Sequence, residues 1–136
     1  MTCLLACEGI DVNAAQANGY TALMWAAYNG HTEIVTALLA REGIDMNAAN
    51  AKGDTALTLA AEKGHTEVVR ALLVCEGIDV NAATANRDTG LILAAGKGHT
   101  EIVRALLACE GIDVNAANLR GNTGLILSAF KATQRS

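Results

Sequence analysis

The sequence predicts an all-α solenoid of stacked helix pairs, and three observations carry that reading. Gly30-His31-Thr32-Glu33 returns as Gly64-His65-Thr66-Glu67 and as Gly98-His99-Thr100-Glu101, a step of 34 residues each time. Leu4-Leu5, Leu38-Leu39, Leu72-Leu73 and Leu106-Leu107 keep the same step. A fixed period of this size marks one supersecondary unit stacked on copies of itself. Apolar residues make up 51% of the 136 and aromatics only 3%, so Ala, Leu, Ile and Val must fill the core. Such side chains suit helices packed about 8–10 Å apart. An extended stack has no obvious central pocket, which favours a binding scaffold over an enzyme.

The chain forms a single domain. Leu4 aligns with Leu38, so Met1 aligns with Val35 and residues 1–12 read as a half unit. Whole units follow at 13–46, 47–80 and 81–114, and 115–136 is incomplete. In the unit 47–80, Asn47 to Asp54 is small and polar and reads as an extended turn or hairpin, with Gly53 supplying a positive φ at its tip. Thr55 stands where a helix N-cap is wanted. Ala56 to Lys63 follows as a short helix with Leu57, Ala60 and Ala61 on one face, and Gly64 ends it. His65-Thr66-Glu67 opens a second helix, whose stripe is Val68, Val69, Leu72 and Leu73. Gly77 is expected to end that helix, and Ile78-Asp79-Val80 leads into the next turn.

These residues resemble the ankyrin repeat. The likeness lies in the Gly-His pairs, the Val-x-x-Leu-Leu runs, Asp79-Val80-Asn81, and Thr21-Ala22-Leu23 with Thr55-Ala56-Leu57. It recurs in register over nearly the whole chain. The W-x2-L-G-x2-Y pattern of the competing tetratricopeptide repeat is missing. The resemblance implies an ankyrin-type solenoid of about three full units, acting as a noncatalytic scaffold for a protein partner.

Four departures from the family pattern have physical consequences. The usual unit has about 33 residues; the extra one here stands before Gly43, Gly77 and Gly111, so a slightly longer second helix or exit is expected. Met24, Thr58, Ile92 and Ile126 replace the family's first-helix histidine, whose hydrogen bonding is lost or supplied otherwise. Arg87 stands where Gly19, Gly53 and Gly121 stand, so the third turn is expected to relax differently. Gly90 and Gly124 replace Ala near a helix start, at a cost of up to ~1 kcal/mol each, which marks a softer end.

The four cysteines admit two readings. Cys7, Cys75 and Cys109 share one repeat position, and equivalent positions about 10 Å apart exceed the ~7 Å that a disulfide spans. Cys3 and Cys7 share a helical face without further ligands in view. Free thiols are the preferred reading and favour a reducing compartment, the cytoplasm first; a disulfide or metal site is the alternative. The net charge of −4 argues against a nucleic-acid partner. No apolar stretch reaches the ~18 residues a membrane span needs.

Function is sought where the units differ. The Asn13/Asn47/Asn81/Asn115 and Thr21/Thr55/Thr89/Thr123 positions, the Gly-His runs and the Leu pairs are shared, and their chemistry is turn making, capping and core filling. His31, His65 and His99 stand too far apart to share a metal and are read as structural. The rows Glu42/Glu76/Glu110 and Asp45/Asp79/Asp113 form solvated ladders without a common cleft. Phosphate-loop, H-E-x-x-H and G-x-S-x-G motifs are absent from the sequence. No enzyme activity, cofactor or metal is expected.

In ankyrin proteins the turn tips and first helices line the concave side that binds partners. Carried over by position, the candidates are Tyr20, Met24, Trp25 and Tyr28, then Lys52, Asp54, Thr58 and Glu62. Asn86, Asp88 and Ile92 follow in the third unit, and Leu119, Arg120 and Asn122 in the fourth. Ile126 joins the last group, whereas Phe130 suits end packing. Trp25 is the only Trp, and Tyr20 and Tyr28 are the only Tyr residues. Hot spots are enriched in such residues, and the alternative for Trp25 is packing between units. Two other functions fit the sequence. The unfinished ends, with Ser136 one place before the register of Met1, would allow weak end-to-end stacking. The similarity of the units also fits a fragment or an engineered chain with no partner of its own.

Overall fold

A computed structural model describes residues 15–41, 43–113, 116–118 and 121. Six helices lie in these residues: α1 (Ala22–Asn29), α2 (Thr32–Leu39), α3 (Ala56–Lys63), α4 (Thr66–Leu73), α5 (Gly90–Lys97) and α6 (Thr100–Leu107). They form three antiparallel pairs, each preceded by a hairpin-like turn. First helices α1, α3 and α5 stack in one layer, and second helices α2, α4 and α6 in another. The all-α solenoid expected from the period is therefore the observed architecture. None of the described helices is long and apolar enough to cross a membrane.

Each first helix starts and stops for a local reason. The hydroxyls of Thr21, Thr55 and Thr89 accept from the backbone N–H of Met24, Thr58 and Ile92, satisfying one free donor in each first turn. Gly30, Gly64 and Gly98 close the helices at φ between 73° and 80°. Second helices begin at His31, His65 and His99 with no side-chain cap. Their aliphatic stripe does the stabilising: Val68, Val69 and Leu72 on α4, and Ile102, Val103 and Leu106 on α6, are all buried.

The second helix ends earlier than Gly77. Helix α4 stops at Leu73, and Val74 to Gly77 form consecutive turns, with Cys75 N donating to Leu72 O (3.1 Å) and Ile78 N to Cys75 O (3.3 Å). The added residue of the 34-residue unit is thus accommodated in the exit. Gly77, at φ 88°, belongs to that exit turn.

Alanine sets the spacing of the inner layer. Ala26, Ala27, Ala60, Ala61, Ala94 and Ala95 are all buried. Their size lets α1, α3 and α5 approach closely, and these helices pack more extensively than α2, α4 and α6 do.

Gly90 lies at the start of α5, within this layer. A Cβ there would sit 3.6 Å from Ala61 Cβ and 3.8 Å from Leu57 Cγ and Leu106 Cδ1, in ordinary contact. Gly90→Ala is expected to stabilise the fold by about 0.5–1 kcal/mol through helix propensity and chain entropy. A urea denaturation series checks this, and an unchanged or lower midpoint would refute it.

Arg87 corrects an expectation. The third turn does not relax; Arg87 takes the left-handed conformation of the glycines it replaces, at φ 64°. Its amide donates to Thr84 O at 2.8 Å, as Gly53 N does to Asn50 O at 3.0 Å. The turn keeps its hydrogen bond despite the cost of a Cβ in this region, about 1–2 kcal/mol.

Candidate partner-binding face

Hydrogen bonds running from unit to unit fix the hairpins relative to one another. Ala51 N donates to Asn18 O (3.0 Å) and Ala85 N to Lys52 O (2.9 Å), joining consecutive turn tips. Below them, Asn47 Nδ2 donates to Gly77 O (2.8 Å) and its Oδ1 accepts from Asp79 N (2.8 Å). Asn81 repeats both bonds with Gly111 O and Asp113 N. The shared asparagines therefore tie the start of each unit to its own exit turn. Asp45 and Asp79 are turn residues too, each accepting from the amide two places on.

The histidines also bridge units. His65 Nε2 lies 2.9 Å from Tyr28 O, and His99 Nε2 lies 3.1 Å from Glu62 O. A carbonyl only accepts, so Nε2 carries the proton in both. Each ring rests on the glycine that closes the preceding first helix: a Cβ on Gly30 or Gly64 would come within 2.7 Å of it. His31 is exposed.

On this frame the aromatic residues of the first pair form one cluster. Trp25 is 39% exposed, so its place is on the surface. Tyr20 stacks on it with centroids 4.5 Å apart, and Tyr28 meets it edge-on at 6.1 Å; both tyrosines are half-buried by these contacts. The indole Nε1 donates to Gln16 Oε1 at 2.9 Å. Lys63 Nζ lies 4.9 Å from the Tyr28 ring centroid. Gln16 and Lys63 escaped the sequence reading because both are neighbours only once the hairpin and α3 are folded against α1.

Alongside lies an open depression of about 410 Å³ that brings together Lys52, Asp54, Glu62, Asn86 and Asp88, with Thr84 and Leu93 also lining it. Burial pushes the Asp54 carboxyl above the usual carboxylate range, and repulsion from Glu62 adds to this. Asn50 and Lys52 pull in the other direction, and Asp88 contributes a further small rise. Asp88 Oδ1 accepts from Asn118 Nδ2 at 2.8 Å.

Three predicted contact residues are not on this face. Met24, Thr58 and Ile92 are 1%, 0% and 2% exposed. They share the third position of a first helix, and their burial puts their side chains out of a partner's reach. Thr58 shows how a polar group is accommodated there: its hydroxyl accepts from Thr55 N (2.8 Å) and donates to Thr55 O (3.0 Å). In the first and third units, where Met24 and Ile92 offer no such group, backbone bridges join Ala15 to Thr21 and Ala83 to Thr89. Leu119, Arg120, Asn122, Ile126 and Phe130 lie outside the described residues.

Cys75 and Cys109 are free thiols whose Sγ atoms face the carbonyls of Ala71 and Ala105, and burial pushes both thiol pKa values up. Cys3 and Cys7 lie outside the described residues.

A comparison with curated proteins finds no significant relative. A family model describing ankyrin repeats in three copies matches residues 1–84 and 73–134. With the period, the Gly-His bridges and the paired-helix stack all in register with that match, the chain belongs to the ankyrin repeat family.

Proposed function

We propose that this chain is a noncatalytic protein-binding module that engages its partner through the hairpin tips and the exposed side of the first helices. Ankyrin repeats are generally protein–protein interaction modules without catalytic activity. The observation that carries the finer reading is the cluster of Tyr20, Trp25 and Tyr28. Three aromatics meet on one surface with the single Trp 39% exposed, although the core is built almost wholly of aliphatic residues. Amphipathic rings held rigid by one another lose little entropy on binding, which is why such residues anchor interfaces. The free thiols of Cys75 and Cys109 favour a reducing, intracellular setting for that partner.

The test compares the intact chain with a Tyr20/Trp25/Tyr28 triple alanine variant in a pull-down from a lysate of the source organism. Circular dichroism confirms that the variant retains its helices. Loss of one anchor worth about 2 kcal/mol weakens binding roughly 30-fold, so the triple variant should lose a partner that the intact chain retains. Equal retention by both chains would place the contact elsewhere.

A further inference from the structure

We infer that the candidate binding face takes a protein segment presenting a Lys or Arg side chain next to an aromatic or aliphatic one. The cation seats in the depression at Asp54, Glu62 and Asp88, and the apolar neighbour lies against Trp25. The inference rests on the reading of this face as the binding surface and adds the chemistry of the partner.

Comparison of equivalent positions shows where the surface changes character. Tyr20, Asp54 and Asp88 stand at one repeat position, and Tyr28, Glu62 and Gly96 at another. The scaffold does not dictate these choices, since the caps, turn asparagines and core leucines stay constant while these positions vary. From the first unit to the second, an aromatic pair is replaced by a carboxylate pair at the same two places. The result is an apolar patch and an acidic depression side by side on one face.

Charge complementarity selects the occupant. The depression is lined by the carboxylates of Asp54, Glu62 and Asp88 and by a single ammonium, that of Lys52. Glu62 and Asp88 both repel the charge on Asp54, and burial keeps water from screening it fully. A bound cation relieves that repulsion, whereas a carboxylate or phosphate would deepen it. The aromatic side accepts the same ligand class: Tyr28 already holds Lys63 Nζ over its ring at 4.9 Å. A neutral apolar segment would cover Trp25 and leave the acidic half unpaired, so a segment with both characters fits better than either alone.

The experiment selects binders to the immobilised 136-residue chain from a displayed library of random peptides, then measures each selected peptide by calorimetric titration. Enrichment of Lys or Arg within a few residues of Trp, Phe or Leu is expected. The affinity of those peptides should fall roughly tenfold in an Asp54→Asn/Glu62→Gln variant, about what two ion pairs contribute. It should also fall on raising salt to about 0.5 M, and rise in Lys52→Gln. Lys52 is exposed, so this last variant tests the charge sign without threatening the fold. Selected peptides that need Trp25 but lack basic residues would overturn the charge inference and leave the binding face standing. So would peptides that ignore both charge variants. Peptides indifferent to Trp25→Ala, or no enrichment at all, would overturn both.

Discussion

Leu72→Ala is expected to destabilise the protein by about 2–5 kcal/mol, the usual range for a buried Leu truncated to Ala. Leu72 is 0% exposed and belongs to α4, the middle helix of the outer layer. Helix α4 packs against α3 within its own unit and against α2 and α6 on either side. A cavity there weakens the unit and both of its interfaces. In a stack whose stability is a sum of unit and nearest-neighbour terms, such a lesion is the most damaging kind. Leu107→Ala is the matched control: Leu107 is 40% exposed, so its loss should cost about 1 kcal/mol or less. Urea denaturation of the two variants checks the contrast, and similar losses would show that the outer layer does not share one core.

Gly64→Ala should cost roughly 2–3 kcal/mol, from two separable causes. The left-handed conformation at φ 80° penalises any Cβ by about 1–2 kcal/mol. The new Cβ would also lie 2.7 Å from His99 Cε1, forcing the ring from the Glu62 carbonyl, and a hydrogen bond of that kind is worth about 1 kcal/mol. Gly77→Ala isolates the first cause, because Gly77 has φ 88° and nothing within 4 Å of the added atom. Gly64→Ala should therefore be the more damaging of the two. Combining it with His99→Ala should cost less than the sum of the single changes, since the clash is removed. Equal losses at Gly64 and Gly77, or strict additivity with His99→Ala, would mean the ring does not depend on the bare backbone.

Much of the fold was legible because it is local. A threonine before an apolar run, a glycine after it and a stripe at helical spacing each act within a few residues, and all three recur with the period. Contacts between units were less legible. Nothing near Thr58 in the sequence says that the third position of each first helix is buried, so Met24, Thr58 and Ile92 read as surface. The Gly-His pair was visible as a repeated motif, but its sense depends on separation: His65 serves Tyr28, and the glycine it rests on is Gly30. Gly77 misled for a related reason. A positive φ suits an exit turn as well as a helix end, and the backbone decides between them through the bonds at Cys75 and Ile78. The candidate face was legible as a set of variable positions. Its division into an aromatic and an acidic half follows from aligning equivalent positions, and the structure adds that Asp54, Glu62 and Asp88 line one depression.

The histidine bridges also give the stack a direction. Each first helix leaves a carbonyl, that of Tyr28 or Glu62, which is satisfied only by a histidine 37 residues later. Each turn asparagine pairs with backbone groups of its own unit's exit, Gly77 and Asp79 for Asn47, Gly111 and Asp113 for Asn81. The carbonyl bonds of Tyr28 and Glu62 are thus completed only when the following unit is in place, whereas the asparagine bonds close within a unit. Removing the chain from His99 onward would leave the Glu62 carbonyl without this bond.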